Sequence, residues 1–395
     1  MTRHYLDHAS TSTLRPDAAR AIQRWLETLP GDPARIHEDG HRTRVLIEEA
    51  RENVAELAGV SPRQVVFTSG GTEAANTATW AAARSRPGAS ILCSNVEHSA
   101  VRDASKRLAP VEEIPVERSG RIDPASVADM LSTRRSEPPA LLHCQWANHE
   151  VGTVQPVAEI VELCHEHGVR VHVDATAAFC HIAKALGELG ADMYSLSAHK
   201  LGGPPGIGAL ILKKGTRIEP MLVGGQQERS RRAGMENVPG IAGFGAVAAL
   251  LADDDRSLVR TEISTARRHI DELIKTALNV DGVTFVGEKD PLGRLPHLAC
   301  LGVEGIEAEP ILLGLDRAGI GVHSGSACSS EYLSPSPVLE AMGVDSNRSL
   351  RISVGWSTTR DDIDAFNDAF PTVVEGLAAL RVNTASASAS KPRSD

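Results

Sequence analysis

No stretch of this 395-residue sequence is apolar for long enough to cross a bilayer. The longest uncharged apolar run, residues 240–252 (GIAGFGAVAALLA), falls short of the ~20 residues that span the hydrocarbon, and it reads as a buried helix. The N-terminus MTRHYLDHAS has neither the apolar stretch nor the small-residue cleavage site of a secretory signal, so the expected location is the cytoplasm, with no membrane partner. Six cysteines are spread without one CxxC pair. That spacing removes structural zinc and thioredoxin-like chemistry, and disulfides are not expected in a reducing compartment. Lys plus Arg total 41 against 51 Asp plus Glu. A net charge of −10 leaves no general basic surface for a phosphate backbone, so nucleic acid is not expected as a direct partner. GxxxxGK[ST] and repeats of about 20 to 50 residues are missing, and no metal site is expected.

What is present is an ordinary globular composition, 42% hydrophobic and 23% charged, which suffices for a sizeable core. The length allows about two to three domains. From about residue 45 to residue 212, helical patterns alternate with short β-rich runs: VVFTSGG, SILCSNVEH, ALLHCQWAN, RVHVDAT and GALILKK. This alternation predicts an α/β sheet with mostly parallel strands. Several runs end in small or polar residues, at positions 69–72 (SGGT), at Glu97 and His98, at Asn148 and His149, and at Asp174. Ligands collect at such strand ends. The acidic cluster 253–255 precedes a long amphipathic stretch, which places a domain boundary near 255. The low-complexity end TASASASKPRSD is expected to be disordered.

The sequence SGGTE follows a strand and opens a helical stretch, so glycines free the backbone where a helix N-terminus exposes its N–H groups. Such a turn either binds phosphate or is simply a tight βα connection capped by threonine. The GxGxxA pattern at 243–248 lies inside the apolar helix with no strand before it, and carries no nucleotide site. In SAHK, Lys200 stands at a strand end before the glycine-rich LGGPPGIGAL and could carry a Schiff base. Asp174, after VRVHV, could face the ring nitrogen of a pyridine cofactor or cap the next helix. Residues 325–330 (GSACSS) surround Cys328 with small polar neighbours, a composition suited to a mobile loop with an accessible thiol. The other five cysteines lie in apolar or helical contexts and read as core residues.

Taken in order, YLDHAST, FTSGGTEAAN, EHSAV, ANHEVG, HVDAT, SAHK and GSACSS resemble the pyridoxal-phosphate cysteine desulfurases of the NifS/IscS type, over roughly residues 5 to 375. The resemblance implies a fold type I α/β enzyme. Its large domain, residues 14–255, has a mostly parallel central sheet flanked by helices. The smaller α+β domain is built from residues 1–13 and 256–382, and the tail is 383–395. It further implies a homodimer, L-cysteine as substrate, pyridoxal 5'-phosphate as cofactor and a sulfur-acceptor protein as partner. Lys200 would hold the cofactor and shuttle the substrate Cα proton, Asp174 would keep the ring nitrogen protonated, and His98 would stack on the ring and act as acid/base. Gly71, Thr72, Ser197 and His199 would hold the phosphate. Arg351, with Asn148 and His149, would bind substrate, the guanidinium gripping its carboxylate. Cys328 would be the nucleophile that takes the sulfur as a persulfide and carries it to an acceptor in iron–sulfur cluster assembly or DNA phosphorothioation.

Three positions depart from the family pattern: Ala177 replaces a glutamine, His149 replaces the second asparagine of NNE, and Met235 replaces a threonine. These imply looser cofactor retention or altered ring electronics. Two other readings stand beside desulfuration. One is a selenocysteine lyase or aminotransferase on the same scaffold, with Cys328 incidental. The other is a non-catalytic scaffold that binds partners through its acidic surface.

Overall fold

The computed structural model describes residues 2–28, 31–134, 137–324 and 335–389, with backbone alone at Asp254 and over 381–389. Strand β1 (His4–Tyr5) belongs to the N-terminal arm. The central sheet follows: β2 (Val65–Thr68), β3 (Ile91–Ser94), β4 (Val111–Ile114), β5 (Leu141–His143), β6 (Arg170–Asp174), β7 (Met193–Ser197) and β8 (Gly208–Leu212). Its order is β2-β8-β7-β6-β5-β3-β4, and β8 alone runs against its neighbours. Most of these strands are buried at successive positions rather than alternate ones, because helices cover both faces. The result is the mostly parallel α/β sheet expected from the alternating patterns. Its largest apolar cluster packs β2 and the inner strands against helices Glu38–Ala58 and Val238–Leu251. In the second helix Gly243 and Gly245 lie against Ile22, Pro204 and Ala50, so the glycines of the discarded nucleotide pattern serve close helix packing.

A second sheet is antiparallel and smaller. It comprises β9 (Val283–Val286), β10 (Leu298–Val303), β12 (His323–Ser324) and β13 (Ser349–Ser353), in the order β12-β13-β10-β9. The short strand β11 (Ile320–Gly321) pairs instead with β1 of the arm. A separate apolar cluster lies under these strands and includes Leu6 from the arm and Phe366 and Phe370 from the last helix. The helix Ser257–Leu278 bridges the two cores: Val259 enters the first, and Ile270, Leu273 and Ile274 enter the second. The arm crosses likewise, with Leu6 in the smaller core and Ala9 in the larger. This crossing carries the chain past the strand ends of the main sheet.

The last helix, Arg360–Ala389, differs from expectation. Residues 383–389, read from the sequence as disordered, have helical backbone; alanine, the best helix former, recurs through ASASA and offsets the serines. Residues 390–395 lie outside the described residues. No helix among the described residues is long and apolar enough to cross a membrane.

Candidate active site

The carboxyl ends of β2, β3, β5, β6 and β7 open onto one cavity of about 310 Å³. Gly71, Thr72, His98, His149, Asp174, Ser197, His199, Lys200 and Arg351 all line it, so residues scattered over 281 positions of sequence (351 − 71 + 1) meet in one place. At one end, the helix Gly71–Ser85 points its first N–H groups into the space. A Cβ at Gly71 would come within 2.8 Å of the Thr176 hydroxyl, so glycine is what lets the two loops close together here. Ser197 ends β7 beside this turn, and His199 follows it. Burial, then the neighbouring Lys200, pushes the His199 imidazole down to about 4, so it is a neutral group near pH 7. Glu73 ties the turn down: its carboxylate accepts from the Ser69 backbone N–H at 2.8 Å and from Arg232 at 2.9 Å.

Asp174 ends β6 at the cavity floor. The Thr176 backbone N–H donates to its Oδ1 at 3.0 Å and the Ser195 hydroxyl at 3.1 Å. Burial opposes its charge, but the bonds from Thr176 and the imidazoles of His98 and His172 prevail and hold the carboxyl below its ordinary range. Lys200 sits in the single turn Ala198–Leu201 that follows β7, and its Nζ donates to the carbonyls of Ala9 (2.5 Å) and Ser10 (2.9 Å). The crossing arm therefore positions the amine. Gly202, next in this turn, has φ +82°, and a Cβ there would meet Arg15, Trp356 and the Thr13 carbonyl at 2.7–3.0 Å.

His98 caps the helix Ser99–Leu108 by accepting the Ala100 N–H on Nδ1 at 3.1 Å. A neutral ring so engaged carries its proton on Nε2. His149 stands edge-on to it, with ring centroids 4.9 Å apart. Arg351, 2% exposed on β13, spends Nη1 on the His149 carbonyl (3.0 Å) and Nη2 on Asp7 (2.9 Å) and the Ser10 hydroxyl (2.5 Å). Asn148 does not line the cavity. Its Oδ1 accepts from the backbone N–H groups of Glu150 and Val151, and its amide donates to the Val96 carbonyl, so the side chain is consumed in shaping the turn that presents His149. Ala177 lines the cavity and offers no donor, whereas Met235 does not line it and is 63% exposed. Cys328 lies in 325–334, outside the described residues. Of the other cysteines, Cys93, Cys144, Cys164 and Cys300 are buried as expected, and Cys180 is half-buried with φ +62°.

Sequence reasoning missed Gln145, which lines the cavity; Glu97, read there only as a polar strand-end residue, is buried behind it. Glu97 Oε1 accepts the Gln145 backbone N–H at 2.5 Å. Burial first, and then the charge of Asp174, pushes its carboxyl up to about 8. The folded chain thus keeps a proton that the unfolded chain releases near 4.5. The stability this group contributes is full below that pH and is lost as pH rises through about 8. Glu97→Gln, which fixes the neutral shape, should melt higher than wild type by at least about 3 °C more at pH 9 than at pH 5. Melting curves that stay parallel across this range would refute it.

A family model, "Aminotransferase class-V", matches residues 4–366. The chain belongs to the class-V aminotransferase family. Cysteine desulfurase IscS of Dictyoglomus turgidum is 38% identical over 384 residues, covering 94% of this chain and 95% of that protein. A cysteine desulfurase of Cereibacter sphaeroides is 39% identical over 390 residues, covering 96% and 98%. The X-ray structure of a NifS-like protein from Rickettsia africae matches with a TM-score of 0.84 at 28% identity, over 94% of this chain and 99% of that one. The fold is that of the pyridoxal-phosphate enzymes, and pyridoxal phosphate is the cofactor. The cavity of this class-V chain fits the group on its own terms. It offers a lysine for the aldehyde, an ionised aspartate for the ring nitrogen, and helix N–H groups at a glycine cradle for the phosphate.

Proposed function

We propose that this chain is a cysteine desulfurase that converts L-cysteine to L-alanine and leaves the sulfur as a persulfide on Cys328. The observation that carries the reading is the convergence of Lys200, Asp174, His98 and Arg351 on one cavity, in a chain close to 40% identical to cysteine desulfurases over nearly its whole length. Gly71, Thr72, Ser197 and His199 hold the cofactor phosphate, Asp174 its ring nitrogen and Lys200 its aldehyde carbon. The bound pyridoxal ring supplies an electron sink for negative charge developing at the substrate Cα. Arg351 takes the substrate carboxylate with its fork, exchanging Asp7 and Ser10 for it. Lys200 would move the Cα proton, and His98 would serve as acid/base through Nε2.

The Cys328 thiolate attacks the substrate sulfur. The C–S bond breaks, its electron pair goes to the three-carbon fragment that takes a proton to become alanine, and an S–S bond forms on Cys328. Ser324, whose strand pairs with that of Arg351, precedes Cys328 by four residues (328 − 324), a reach of at most about 14 Å. The sulfur then passes to an acceptor protein, in iron–sulfur cluster assembly or DNA phosphorothioation. The net charge of −10 favours protein over nucleic acid as the direct partner. The enzyme acts as a homodimer in the cytoplasm. Measured as alanine and sulfide from L-cysteine with a reductant, Cys328→Ser should lose turnover and keep the cofactor's absorbance. Turnover retained in that variant would favour a lyase or aminotransferase instead.

A further inference from the structure

Gln145 lines the cavity with a buried polar atom left unpaired: its Nε2 has no hydrogen-bond partner, and the residue is 2% exposed. Arg351, which also lines the cavity, keeps two of its three nitrogens engaged and leaves Nε unpaired within the fork. Leaving a buried amide unpaired is costly, and a cavity wall is where a bound group can remove that cost. The backbone fixes the amide here. The Gln145 N–H is held by Glu97, and the next residue's N–H bonds the Asp174 carbonyl at 2.8 Å, so Gln145 is stitched to the strand end that carries the ring-nitrogen partner. The flanking wall residues Ala147 and Ala177 present only methyl groups.

Pyridoxal phosphate carries four polar features: the phosphate, the ring nitrogen, the aldehyde and the phenolic oxygen. Cavity residues already answer the first three. The phenolic oxygen, anionic in the lysine-bound cofactor, is the acceptor that remains, and a neutral amide N–H is a suitable donor to it. We propose that Gln145 is a cofactor-positioning residue whose side-chain amide donates a hydrogen bond to the phenolic oxygen of pyridoxal phosphate. The donor stabilises the anionic oxygen, which sets both retention of the cofactor and its absorbance. This inference rests on the cofactor assignment and not on the fate of sulfur at Cys328.

The test is a cycle between one side chain and one ligand atom. Apoenzyme of wild type and of Gln145→Met is dialysed to equilibrium against pyridoxal phosphate and against 3-deoxypyridoxal phosphate, which lacks the phenolic oxygen. Wild type should prefer the natural cofactor roughly tenfold more strongly than the variant does, the discrimination expected of one hydrogen bond to a charged acceptor. The loaded variant should also show a displaced absorbance band. Equal preference ratios, to within about twofold, would overturn the proposal. So would equal ratios with a raised KM for L-cysteine, which would assign the amide to substrate instead. Gln145→Leu provides the same cycle should the methionine variant fail to fold. Wild type that binds neither compound would overturn the cofactor assignment and this proposal together, whereas lost desulfuration with the tenfold difference intact would overturn only the reaction.

Discussion

Lys200→Ala should form alanine from L-cysteine at least about ten-thousand-fold more slowly than wild type, the upper range for losing a positioned proton-transfer group, because in the proposed function the same side chain also holds the cofactor. The geometry makes this a chemical loss rather than a structural one. Lys200 is presented by a single turn after β7 whose shape depends on Gly202, and its Nζ donates to two carbonyls of the arm, which solvent can satisfy. The phosphate cradle at Gly71 and the carboxylate of Asp174 remain, so the variant should still take up pyridoxal phosphate reversibly, without the absorbance of a lysine adduct. Steady-state alanine release, read beside the cofactor spectrum, separates the two roles. Activity within about tenfold of wild type would remove Lys200 from the chemistry.

Asp174→Asn should cost about a thousand-fold in kcat, within the range of removing one preorganised charge from a site where charge develops. Asparagine keeps the outline of the carboxylate and can still accept from Thr176 and Ser195, so the floor of the cavity persists. What disappears is the negative charge that these bonds and the imidazoles of His98 and His172 maintain against burial. Without it the ring nitrogen is not held protonated, and charge at the substrate Cα loses its sink. The loss should therefore fall on kcat, with KM changed by less than about threefold. A loss in KM alone would place Asp174 in substrate binding.

The parts of this site that the sequence made legible are those fixed by local chain chemistry. Residues 69–72, Asp174 and Lys200 each follow a short apolar run at a strand end, and in a parallel sheet all such ends meet on one edge. The place of Asn148 was not legible, for the opposite reason. Its neighbours in the motif share a turn, and only the three-dimensional path shows that His149 faces the cavity while Asn148 holds the turn together. The unpaired amide of Gln145 and the protonated carboxyl of Glu97 could be found only through burial, since neither leaves a trace in residue order. Asp7 and Ser10 belong with them: 344 and 341 residues separate them from Arg351, and the crossing of the arm alone brings them together. The helical backbone of 383–389 was hidden because an alternation of alanine and serine reads as low complexity before it reads as helix.

The most direct test of desulfuration through Cys328 is the mass of the protein after one turnover without reductant. Wild type given excess L-cysteine should release close to one alanine per chain and gain about 32 Da, one sulfur atom, on the peptide that carries Cys328, a gain that dithiothreitol reverses. Continued alanine release with no added mass on that peptide would contradict the account.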